Sequence, residues 1–113
     1  VANTFKLKTQ QNIGTGSVTV YTVPSNTTSV LIGANLSNTS AGAIGGSLIV
    51  NTDTDDTETN ENVFVVKQAP IPVGSALEVM AGNKIVLQTT DVVQAQSDTS
   101  GSLDVSLSLM EIT

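Results

Sequence analysis

The sequence predicts an all-β chain: an antiparallel β-sandwich, jelly-roll or immunoglobulin-like, of eight to nine short strands. Three observations predict it. Apolar residues recur with period two, most clearly where Leu103, Val105, Leu107 and Leu109 alternate with Asp104, Ser106, Ser108 and Met110. The candidate strands are rich in Val, Ile, Leu and Thr, and β-branched residues suit pleated surfaces. Turn residues punctuate them at short spacing, and no stretch combines helical period with helical length.

The elements follow in order. Phe5 and Leu7 alternate with Lys6 and Lys8, and Gly14-Thr15-Gly16 closes this first segment. Two roles are open for residues 1–11. They form the first strand of the sandwich, with Phe5 and Leu7 in its core, or an N-terminal arm whose Phe5, Lys6 and Lys8 tether a partner. Val18, Val20 and Thr22 keep the period up to Pro24-Ser25-Asn26. Tyr21 breaks that phase and is expected to be exposed. Further strands are expected at 29–36, 46–51, 62–68, 75–80, 84–88 and 92–97, with Phe64 in apolar phase and so in the core. Gly82-Asn83 reads as a tight hairpin between Met80 and Lys84. Pro70 and Pro72 flank Ile71, and neither can donate to a ladder. That segment is an edge or a crossing between sheets. Ser100-Gly101 precedes the last strand.

Two segments read as loops. Residues 37–45 hold mostly Asn, Ser, Thr, Ala and Gly, with no core period. Residues 52–61 hold five of the ten acids, Asp53, Asp55, Asp56, Glu58 and Glu61, and no apolar side chain. They are expected to project into water.

The 113 residues fit one domain, 1–113. Charged residues are 12%, about half the usual share of ~25%. The rest of the polar surface is Ser, Thr, Asn and Gln. There is no His, Cys, Trp or Arg. The commonest general acid–base, the usual ligands of zinc and any disulfide are thereby missing. Four lysines against ten acids leave a net charge of −6, which disfavours nucleic acid and anionic membranes as partners. No apolar run approaches the ~20 residues of a membrane helix, and the first residues lack the basic and apolar regions of a secretory leader.

Catalytic and cofactor sites find no support in the residues. The acidic run 53–61 has clustered carboxylates of the kind Ca²⁺ takes. It lacks a Gly at the sixth position and readable flanking helices, so it reads as a solvated hairpin tip. Glu78, Asp91, Asp104 and Glu111 sit at strand positions or ends. Glu78 and Asp104 lie in outward phase, where acids solubilise or guard edges rather than form a hydrolytic pair. No Ser has a His to activate it, and none precedes a Lys in S-x-x-K spacing. The expectation is no enzyme, no cofactor and no metal.

The segments YTVPSNTTSVLIGANLSNTS (21–40), VVKQAPIPVGSALEV (65–79), GNKIVL (82–87), TDVVQAQS (90–97) and SLDVSLSLMEIT (102–113) occur in that order. Together they resemble small structural proteins of tailed-bacteriophage virions, the capsid decoration or cement-like proteins found particularly in cyanophages. The Tyr-Thr-Val-Pro strand end, the Ala-Pro-Ile-Pro-Val-Gly step and the closing Glu-Ile carry most of the likeness. The resemblance implies a β-sandwich decorating a virion. The place expected for it is the outer surface of the capsid, where a homotrimer would bind the major capsid protein and bridge coat subunits. The alternatives are a neck, tail or baseplate structural protein, or a glycan-binding module of an adhesion device.

Overall fold

The computed structural model describes residues 2–52, 62–80 and 82–113. Among these the elements are β1 (Asn3–Ile13), β2 (Val18–Thr22), β3 (Thr28–Asn38), β4 (Ile44–Asn51), β5 (Asn62–Ile71), β6 (Ala76–Glu78), β7 (Ile85–Leu87), β8 (Val92–Ser97) and β9 (Leu103–Ile112), with no helix. The expected loop at 37–45 shrinks to 39–43. Asn38 closes it: its side-chain amide donates to Gly42 O at 2.8 Å and Ile71 O at 3.0 Å, and its Oδ1 accepts from Ser40 N at 2.9 Å.

All ladders are antiparallel. The first sheet runs β1-β9-β3-β6, with β7 also on β3; the second runs β2-β8-β4-β5. The Gly82-Asn83 turn exists, with Asn83 N donating to Met80 O at 2.6 Å, but it is not a hairpin. β6 pairs with residues 35–37 of β3 and β7 with residues 29–31 of the same strand. The two are one edge strand, interrupted where Gly82 takes a left-handed φ of 91°. Glu78 bridges the interruption, its Oε1 accepting from Ala34 N at 3.3 Å and Met80 N at 3.1 Å.

With β6 and β7 counted as one, eight strands fall in the orders 1-9-3-6/7 and 2-8-4-5. Consecutive strands change sheet at every step except β4–β5. That is jelly-roll connectivity. In an immunoglobulin sandwich strands A and B, and D and E, share sheets.

The core lies between the sheets. Leu31, Leu36, Leu48, Val93, Leu103, Leu107 and Leu109 are fully buried. The period-two pattern of β9 places 103, 105, 107 and 109 inward, as the alternation requires. β5 pairs only with β4 among the described residues, so Pro70 sits on an edge strand, and Pro72 begins the crossing to the first sheet.

Two expected core aromatics lie outside the core. In β1 the register sets Lys6 opposite Leu109 and Lys8 opposite Leu107. Directly opposite residues share a face, so the lysines point inward and Phe5 and Leu7 point out, 74% and 65% exposed. β1 is an edge strand at the rim of the sandwich. There a lysine covers the core with its methylenes and keeps its ammonium in water. Phe64 lies opposite Ile49 on the outward face of the second sheet, where it remains half exposed with Lys67 Nζ 5.1 Å from its ring.

Candidate functional site

A buried polar cluster holds the rim closed. Tyr21, expected at the surface, is buried on β2. Its hydroxyl donates to Glu111 Oε2 at 2.6 Å and lies 2.6 Å from Ser29 Oγ. Since the phenol proton goes to the carboxylate, Ser29 donates to Tyr21. Glu111 is itself buried, and its Oε1 pairs with Lys6 Nζ at 3.3 Å. Lys8 Nζ stands 6.0 Å from the Tyr21 ring. Burial and the neighbouring carboxylate push the Tyr21 pKa up to about 12. The Tyr21 hydrogen bond and the lysines hold Glu111 below its ordinary value. β1, β2, β3 and β9 each supply a group, and all four groups satisfy one another. Such a cluster locks strands together; it presents no free nucleophile or base.

Glu111 carries the sequence signal that would have found it. It continues the inward phase of Leu103, Val105, Leu107 and Leu109, so a charge stands at a core position. A buried carboxylate needs a cation and donors. The Tyr-Thr-Val-Pro and Glu-Ile segments supply Tyr21 and Glu111, which meet in space.

The remaining candidate acids are not brought together. Asp104 Oδ1 accepts from Asn12 N at 3.0 Å where β1 bulges. Asp91 is buried, and its Oδ2 accepts from Gln88 N at 3.0 Å in the turn before β8. Glu78 sits at the break between β6 and β7. Each carboxylate holds backbone at a separate place. An open depression of about 530 Å³, lined by Thr9, Gln10, Gln11, Ser37, Asp104, Val105 and Ser106, contains one carboxylate, Asp104, already bonded to Asn12 N, and no second titratable side chain. No cluster of three metal-ligating side chains occurs among the described residues. Asp53, Asp55, Asp56, Glu58 and Glu61 lie outside the described residues.

The outward face of the first sheet has a different character. Phe5 lies opposite Met110, Met110 opposite Val30, and Val30 opposite Val86. The four form one apolar row across the whole sheet. Leu7 and Ile112 flank it along β1 and β9. Phe5, Leu7 and Val86 are each more than half exposed. Two rows further down β1 the same face turns polar, with Thr9, Ser106, Asn35 and Glu78 in line. An exposed apolar row rimmed by polar residues is a candidate interaction surface. Of the candidate arm residues, Phe5 belongs to this row, whereas Lys6 and Lys8 lie on the opposite face.

No protein-family model matches the chain, and no curated protein matches it. Among the solved structures that share the fold, two are similar over nearly the whole of this chain. One is a chain of Bacillus endospore appendages, a novel family of disulfide-linked pili. It is 12% identical, with a TM-score of 0.52 over 97% of this chain and 84% of that one. The other belongs to the infectious bursal disease virus Gx strain. It is 15% identical, with a TM-score of 0.54 over 96% of this chain and 31% of that one. At such identities the likeness is one of fold. This chain thus shares a β-sandwich fold with a chain of a pilus and with part of a chain of a virus. Its 113 residues hold no Cys, so the disulfide linking of that pilus has no counterpart in them.

Proposed function

We propose that this chain is a non-enzymatic structural protein of a bacteriophage virion. In this reading it is a capsid decoration or cement protein on the outer surface of the head. A homotrimer there bridges subunits of the major capsid protein. The observation that carries the reading is the exposed apolar row Phe5–Met110–Val30–Val86 on a sandwich of low charge. Its burial opposes little charge desolvation. The described carboxylates named above serve the chain's own backbone and hydroxyls, as befits a subunit that functions by packing. The resemblance of the segments 21–40, 65–79, 82–87, 90–97 and 102–113 to small phage virion proteins supplies the virion. A trimer suits the threefold positions of a head. Glycan recognition is less well supported: Tyr21 is buried, and Phe5 and Phe64 lie on the outward faces of different sheets, so no paired stacking platform exists.

A reconstruction of the particle tests the proposal. Density for this sandwich repeated at threefold positions over the whole head supports it. Density confined to a unique vertex transfers the reading to the neck, tail or baseplate. Absence from purified particles overturns both.

A further inference from the structure

Strand β1 uses one hydrogen-bonding edge and leaves the other open. Ala2 and Thr113 exchange both backbone bonds, at 3.2 and 3.0 Å. In an antiparallel ladder such bonded pairs alternate with unbonded ones. The register is unbroken from Asn3–Ile112 to Gln10–Val105. The bonded positions are therefore Ala2, Thr4, Lys6, Lys8 and Gln10. Asn3, Phe5, Leu7 and Thr9 aim their N–H and C=O groups away from β9. No described strand pairs with that edge, and all four residues are exposed.

The side chains along this edge are sorted by chemistry. A strand added to β1 places its residues opposite those of β1 and on the same faces. Opposite Phe5 and Leu7 it joins the apolar row. Opposite Lys6 and Lys8 it meets half of the cations of a chain whose net charge is −6. Lys6 has one ion pair, to Glu111, and Lys8 has no carboxylate within ion-pair distance among the described residues. A second copy is a poor occupant. Two β1 strands related by a twofold axis keep their lysines on one face. Registers centred on the regular stretch, at residue 6 or 7, set Lys6 against Lys6 or Lys8. Like charges directly opposite destabilise a pair, and inward charges are a known guard against edge-to-edge association.

We propose that the open edge of β1 accepts an extended segment of a partner protein in which apolar and acidic residues alternate. Its apolar side chains extend the row at Phe5 and Leu7, its acids face Lys6 and Lys8, and its backbone bonds to residues 3, 5, 7 and 9. This deepens the assembly reading and rests on it only in taking the partner to be a protein.

The test uses the full chain and a capped octapeptide alternating Val and Glu, with a Val–Lys peptide of equal length as control. Amide exchange at Phe5 and Leu7, fast in the free chain, is expected to slow on adding the Val–Glu peptide, while Lys6 and Lys8 amides change little. Affinity is expected to exceed that for the Val–Lys peptide by about tenfold or more, to fall with added salt, and to drop in Lys8→Gln. Leu7→Pro removes a donor on the open edge and none from the β9 ladder. It is expected to unfold cooperatively near the native melting temperature and to bind no peptide. Equal binding of the two peptides, absence of binding, or binding without protection of Phe5 and Leu7 overturns the proposal; this wild-type comparison decides even where Leu7→Pro does not fold. Protection that appears at rising protein concentration without peptide assigns the edge to a second copy and overturns it too. The measurement is made on the isolated chain, so its failure is separate from absence of the protein from virions.

Discussion

Tyr21 closes the rim of the sandwich through one hydroxyl. Tyr21→Phe leaves Glu111 and Ser29 without that partner in a buried place and is expected to cost about 1–3 kcal/mol, read by urea unfolding. The pH dependence follows from the same group. Its ordinary pKa is 10.0 and its folded value about 12, so the unfolded chain ionises first. Stability present below pH 10 is lost as pH rises from 10 to 12, and this part of the loss is expected to vanish in Tyr21→Phe. Glu111 has the opposite sign. Its folded pKa lies below the ordinary 4.5, so its contribution is present above that pH and is lost as pH falls through the folded value. Unfolding curves below pH 4.5 and above pH 10 check both signs. Leu107 is fully buried, and Leu107→Ala is expected to cost about 2–5 kcal/mol. Asp104 makes one exposed bond to Asn12 N, and Asp104→Ala is expected to cost about 1 kcal/mol.

At the scale of the element, β1 and β4 make opposite demands. β1 is exposed along nearly its whole length and sends only Ile13 into the core. Phe5→Ser is therefore expected to change stability by no more than about 0.5 kcal/mol while weakening incorporation into particles. A large loss of stability would mean that Phe5 is core after all. β4 is buried on both faces. A Cβ at Gly46 would stand 2.7 Å from Ile71 Cδ1 and 3.3 Å from Leu36 Cδ1. Both methyls lie in fully packed surroundings and must turn away, so Gly46→Ala is expected to cost about 1–3 kcal/mol in thermal or urea unfolding.

At the scale of the molecule, deletion of residues 1–10 separates the two roles of the first segment. It removes none of the core cluster but uncovers the edge of β9 and takes Lys6 from Glu111. The shortened chain is expected to melt cooperatively at a lower temperature, to keep a strand-dominated circular dichroism spectrum and to fail to load onto particles. A chain that no longer folds would show β1 to be indispensable to the sandwich. Loading that survives the deletion would move the assembly surface away from β1.

The sequence by itself determined that the chain is all-β, where most strands lie, and which face of β9 is buried. Leu103, Val105, Leu107 and Leu109 form the one large apolar set of their strand, and only one face can meet the opposing sheet. It also showed that no His, Cys or Arg chemistry is available. The tertiary structure decided the rest. β1 has an apolar and a cationic face, and alternation alone does not say which points inward. At a rim both are tolerated, and the long-range register with β9 settles it. β6 and β7 read as a hairpin because the turn between them is local. That both pair with β3 depends on a strand far back in the chain, Ser37 opposite Ala76 and Ser29 opposite Leu87. Glu111 is visibly out of place in a core phase, but its hydrogen-bond partner Tyr21 lies 90 residues distant in the chain. Periodicity is a property of neighbours in sequence, whereas satisfaction of a buried charge is a property of neighbours in space.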